Sequence, residues 1–151
     1  MIEFKTLTVS AMRGFGEDLL EAHYQELTLH KEVVKLNVDW EKYSLMEKRG
    51  MLMSIGVFED SILVGYSVFI LADHAHYKDM LVASNDVLFL REDKRKGSLG
   101  VRLVRESEAR LHAKGVTKIL WHCKYGTVLG KLLKHMGYVN EEFTMGKILG
   151  S

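Results

Sequence analysis

Residues 86–100 read Asp-Val-Leu-Phe-Leu-Arg-Glu-Asp-Lys-Arg-Lys-Gly-Ser-Leu-Gly, and two kinds of chemistry are written into them. Asp86 is an acid heading an apolar run, where burial would raise its pKa and make it a candidate general base. It reads equally well as an Asp hydrogen-bonded at a β-bulge. Arg95, Lys96, Gly97, Ser98, Leu99 and Gly100 form a basic, glycine-containing loop ahead of a helical pattern. Such a loop turns unpaired backbone N–H groups and the positive end of a helix dipole toward an anion; standing alone, it is only a solvated charged turn. His74, His76 and Tyr77 make a separate cluster of bases or acceptor-binding groups. Two histidines could begin a metal site, but no clear third ligand accompanies them, and no metal is expected. Cys123 has no evident triad and reads as a buried small apolar residue.

These residues need elements to hold them. Residues 87–90 are long enough for a buried strand and too short for a helix. After the loop, Leu103, Val104, Ser107 and Leu111 fall on one helical face with Arg102, Arg105, Glu106 and Arg110 off it, and Gly115 ends the helix. Upstream, residues 2–9 alternate as a first strand. Ser10 is placed to cap an amphipathic helix carrying Leu19, Leu20, His23, Tyr24 and Leu27. Asp39 heads a second helix over 40–49, stopped by Gly50; the plain reading of its Trp40 and Tyr43 is as core anchors. Strands over 51–58 and 62–71 join through Glu59-Asp60-Ser61 as a hairpin, and a further strand covers 82–90. Residues 118–122 predict a buried strand, Leu129, Leu132, Leu133 and Met136 a helix ending at Gly137, and 138–142 with 144–149 a closing strand pair.

With 151 residues, 47% of them hydrophobic, the chain can bury one core, and no linker or repeat divides it: a single domain of mixed α and β over 1–151 is expected. Its 21 basic and 20 acidic residues give no global charge argument for nucleic acid or membrane binding. No apolar run has the length of a membrane span, residues 1–5 lack the plan of a secretion signal, and the lone cysteine suits a reducing cytoplasm.

The order strand, Arg95-Lys96-Gly97-Ser98-Leu99-Gly100, helix resembles the pyrophosphate-binding loop of the GNAT superfamily of N-acetyltransferases, Gln/Arg-x-x-Gly-x-Gly/Ala. Arg95 takes its first position and Gly100 its last; Ser98 stands where the first family glycine is usual, with Gly97 one residue early. Leu63-Val64-Gly65-Tyr66 and Gly137-Tyr138 resemble other landmarks of that fold. Asp39 to Tyr43, His74 to Tyr77, Trp121 to Lys124 and Leu132 to Tyr138 together look like the GNAT-type proteins of tailed bacteriophages. The resemblance implies a mixed sheet of about six or seven strands flanked by about four helices, with the fourth and fifth strands splayed.

It also implies a function: transfer of an acyl group from acetyl-CoA, or another acyl-CoA, to a primary amine. Main-chain groups of Leu88, Phe89 and Leu90 would hold the pantetheine arm, and the loop from Arg95 to Gly100 the pyrophosphate. Asp86 occupies the place of the family's carboxylate base, with His76 as an alternative. Trp40, Tyr43, His74 and Tyr77 would shape the acceptor pocket. The family's proton-donating Tyr lies four residues before the helix-ending glycine, and here that position is Leu133; Tyr125, His122 or Cys123 could stand in. Two copies pairing as a homodimer would be in keeping with the superfamily. Other readings are a phage virion or host-interaction protein that kept the fold without catalysis, and a nucleobase-modifying phage enzyme.

Overall fold

The computed structural model describes residues 1–150, and Ser151 lies outside the described residues. A five-stranded sheet runs in chain order, β1 (Ile2–Thr6), β2 (Leu52–Glu59), β3 (Ile62–His74), β4 (Tyr77–Leu90) and β5 (Lys118–Leu120). All neighbours are antiparallel except β4 and β5, which are parallel. Asp60 and Ser61 take positive φ values of 49° and 71° between β2 and β3, the twist that a two-residue hairpin turn demands.

Helices cover both faces. α1 (Val9–Phe15), α2 (Glu17–Leu27) and α3 (Trp40–Lys48) lie on one side, and α4 (Leu99–Ala113) on the other, followed by α5 (Val128–His135). The face predicted for α4 is the buried one: Leu103, Val104, Ser107 and Leu111 are all buried, joined by Leu99. Against Leu99, Leu103 and Leu111 pack Ile55, Val57, Phe69 and Ala83 of the sheet. Across the sheet, Met12 and Leu19 pack on Phe58, Tyr66, Val68 and Phe89. Each fully buried Leu or Phe contributes about 1.5–3 kcal/mol, so two such layers fix the sheet between them.

Several expectations need correcting. The helix expected from Ser10 is two helices. Thr8 is the cap, accepting from the Ala11 N–H at 3.1 Å, and the chain breaks at Gly16. A Cβ on Gly16 would sit 2.6 Å from the Met12 carbonyl oxygen, which is why only glycine serves at that joint. Strands β3 and β4 run further than expected, to His74 and from Tyr77, so the aromatic cluster is the tip of a long hairpin. The strand at 118–122 is shorter and only partly buried. Residues 138–149 form no strands, so the sheet has five strands rather than six or seven. A strand needs a partner ladder, and the edge beside it is only the three-residue β5. Val139, Phe143, Met145 and Leu149 stay 78%, 71%, 85% and 81% exposed.

Candidate active site

The start of α4 carries unpaired backbone donors. Its cap residue Ser98 makes no side-chain cap bond, and among the described residues nothing accepts from the backbone N–H groups of residues 96–101. Those donors lie at the positive end of a 15-residue helix. The displaced glycine of the motif is absorbed by the backbone: Gly97 takes φ +95°, while Ser98 sits at φ −97°, where any residue fits. A Cβ on Gly100 would reach 3.5 Å from Leu132 and 4.0 Å from Leu90, an ordinary contact, so its smallness leaves a little room beside the loop.

Arg95 is not idle. Its Nε donates to the Leu90 carbonyl at 2.8 Å, and its other nitrogens fork onto the Glu26 carboxylate at the end of α2. The pair holds the Glu26 carboxyl below its ordinary range and raises the guanidinium. Arg95 also lies 5.2 Å above the Phe89 ring.

Beside this loop the sheet opens. β4 and β5 pair at only three positions, Val82 with Lys118, Ala83 with Ile119 and Ser84 with Leu120. Beyond Ser84, residues 85–90 continue β4 toward the loop with β3 on one side and no strand on the other. Leu88, Phe89 and Leu90 therefore border a fork whose open end faces the α4 amides.

At the mouth of the fork stands Asp86. Val68 pairs with Val87 and Phe69 with Asn85, which leaves Asp86 as the extra residue of a β-bulge. Asn85 is buried and its side-chain amide donates to the carbonyls of Val68 and Val87, at 3.2 and 3.1 Å, tying the bulge down. The bulge explains a reversal of facing along β4. Leu81 and Ala83 pack on the α4 side, and so do Leu88 and Leu90 after the shift. The burial expected from the apolar run around Asp86 is absent, since its side chain is exposed on the helix α1–α3 side. The Tyr43 hydroxyl donates to its carboxylate, and burial together with that bond pushes the phenol upward, so Tyr43 stays protonated.

Asp86 and Tyr43 line a cavity of about 230 Å³ between the sheet and α1, α2 and α3. Its walls are mostly apolar, with Trp40, Leu20, Leu36, Val38, Leu52 and Val68 among them. His23 enters from α2. Its ring stacks on Phe89 at 5.1 Å, its Nδ1 lies 3.0 Å from the Tyr66 hydroxyl, and burial lowers its pKa, so at neutral pH it is uncharged.

Of the residues singled out in the sequence, Trp40, Tyr43 and Asp86 meet in this cavity, while Leu88 to Gly100 border the fork and loop. His74, His76 and Tyr77 do not join them. Tyr77 pairs with His74 while Asp86 lies beside Phe69, so five residues of β3, about 17 Å, separate the cluster from Asp86. The three rings contact one another at the hairpin tip, with His74 Nδ1 accepting from the His76 N–H at 3.1 Å. Tyr125 lies in the loop between β5 and α5, 90% exposed. Cys123 is exposed too, not the buried apolar residue expected of it. Leu133 is a core residue at 4% exposure, so no hydroxyl occupies that place. His23 was missed as a site residue, although a histidine on the apolar stripe with Leu19, Leu20 and Leu27 was the visible signal.

No protein-family model matches the sequence, and no curated protein is detectably similar to it. Solved structures are. A ribosomal-protein-alanine N-acetyltransferase from Brucella melitensis superposes with a TM-score of 0.73 at 13% identity, over 99% of each chain. An aminoglycoside acetyltransferase from an uncultured soil metagenomic sample gives 0.77 at 12% identity, over 100% of this chain and 99% of that one. A predicted acetyltransferase with acetyl-CoA from Clostridium acetobutylicum gives 0.69 at 11% identity, over 98% and 96%. The likeness is one of backbone, end to end, and with the fork, the amide-lined loop and the bulge it gives this chain the fold of the GNAT acetyltransferases.

Proposed function

We propose that the chain is an acyl-CoA-dependent N-acyltransferase that acetylates a primary amine. The observation that carries this reading is the fork between β4 and β5 opening onto unpaired α4 amides, with a carboxylate at its mouth. These residues fit acetyl-CoA. The amides of residues 96–101 and the charge of Lys96 suit the diphosphate, and the free edge of Leu88 to Leu90 suits a chain of amides.

An alkylammonium of pKa ~10.4 is unprotonated in only about one molecule per thousand at pH 7, a handicap of some 4 kcal/mol. Asp86 draws the ammonium to the fork, and Asp86 and neutral His23 are the proton acceptors lining the cavity. Tyr43 orients the Asp86 carboxylate. The thioester supplies the acetyl carbon: the C–N bond forms as C–S breaks, one ammonium proton ends on the thiol and a second is released to solvent. With a thiol pKa near ~8.5 the leaving group needs little help, and Tyr125 is the hydroxyl carried by the loop that follows β5.

The test is acetyl-CoA-dependent thiol release with a panel of amines. Asp86→Asn should lower kcat about 10²–10⁴-fold while acetyl-CoA affinity is retained. A kcat unchanged by that substitution contradicts the assigned base. A second reading, a binding domain without turnover, draws on Leu133 standing buried where the family carries its proton donor; acetyl-CoA binding with no thiol release for any amine would establish it.

A further inference from the structure

We infer that the acceptor is a small monoamine carried on an apolar or aromatic body, and that polycationic amines are excluded. This rests on the acyltransferase reading above and concerns the cavity that it uses. Every wall of the cavity bears on the choice. Among the described residues Asp86 is the one acidic side chain lining the cavity, His23 is held uncharged, and neither Lys nor Arg lines the space. The carboxylate of Glu47 is committed elsewhere, accepting from the Val9 N–H at 2.8 Å at the start of α1. One carboxylate neutralises one ammonium. A second or third ammonium brought in with it would lose its water and meet mostly apolar walls, with Tyr24, Thr28 and Ser54 offering hydroxyls but no opposite charge.

Size points the same way. At about 230 Å³ the cavity is below the usual ~300–1,000 Å³ of sites for drug-sized ligands. A ring with a short aminoalkyl arm fills that space, whereas only one end of an oligosaccharide enters it. The ammonium has one anchor, Asp86 with its Tyr43 partner, and the apolar walls take the rest.

The experiment compares phenethylamine, hexylamine, spermidine and kanamycin in acetyl-CoA-dependent thiol release. In parallel, Trp40 fluorescence is titrated with each amine in a Trp121→Phe background. The expected result is kcat/KM for phenethylamine at least about tenfold above spermidine, with saturable quenching by phenethylamine and hexylamine only. Leu36→Glu, which adds a second carboxylate from an exposed loop position, should narrow that ratio by roughly tenfold. Equal or better turnover of spermidine or kanamycin by the unaltered protein overturns the inference, as does an absence of quenching by phenethylamine. Selective quenching with no thiol release for any amine would instead sustain the pocket's selectivity and overturn the transfer reading.

Discussion

Asp86 shows how one residue acquires a role from backbone geometry. Its sequence neighbours promised burial, but the bulge lifts it out of the ladder and turns it into the cavity, where Tyr43 meets it. His23 gains its role from its neighbours instead. Removing the Tyr43 hydroxyl should slow turnover without unfolding the protein: Tyr43→Phe is expected to lower kcat about tenfold, read in the thiol-release assay. The His23 pKa lies below its ordinary 6.5 because burial disfavours the imidazolium. A folded-state pKa below the unfolded one means that stability is fully present above about 6.5 and is lost as pH falls through the folded value. The melting temperature should therefore drop between pH 7 and pH 5 more steeply in the unaltered protein than in His23→Gln; equal slopes in the two proteins would contradict this.

Among the elements, α2 and the loop before α4 are tied together. Glu26 holds Arg95, Arg95 lies over Phe89, and Phe89 stacks on His23, so the loop proposed for the diphosphate and the cavity proposed for the acceptor share one contact chain. An exposed pair of this kind is worth about 0.2–1 kcal/mol. Glu26→Gln should free the guanidinium for the diphosphate and tighten acetyl-CoA binding up to about fivefold; weaker binding by calorimetry would count against it. Gly97→Ala places a side chain at φ +95° and is expected to cost about 1–2 kcal/mol, seen as a melting temperature several degrees lower. Much of this level was legible beforehand. The buried face of α4, the Asp39 cap of α3 and the loop composition all follow from local rules, because period and capping are local. The break at Gly16 was hidden, since it depends on a 2.6 Å approach to the Met12 carbonyl that no periodicity reveals.

For the whole molecule, two packed layers hold a sheet that is deliberately incomplete at one place. Leu103, fully buried between α4 and the sheet, should cost about 2–5 kcal/mol when changed to Ala, measured by chemical denaturation. Long-range pairing was the least legible part of the chain. Residues 138–149 carry strand-like side chains such as Tyr138, Val139, Phe143 and Ile148, but composition cannot say whether a partner edge exists. For the same reason the His74–Tyr77 cluster resembled site chemistry until the length of β4 carried it away from Asp86. The fork itself was foreseen only through the family likeness, because no local pattern encodes where a ladder stops.

The fork and its amides are most directly tested by calorimetric titration with acetyl-CoA and with desulfo-CoA. Saturable, one-to-one binding of both, weakened when Gly100 is changed to a bulky residue, is the predicted result. No binding of either at millimolar concentration by a folded protein would contradict the account.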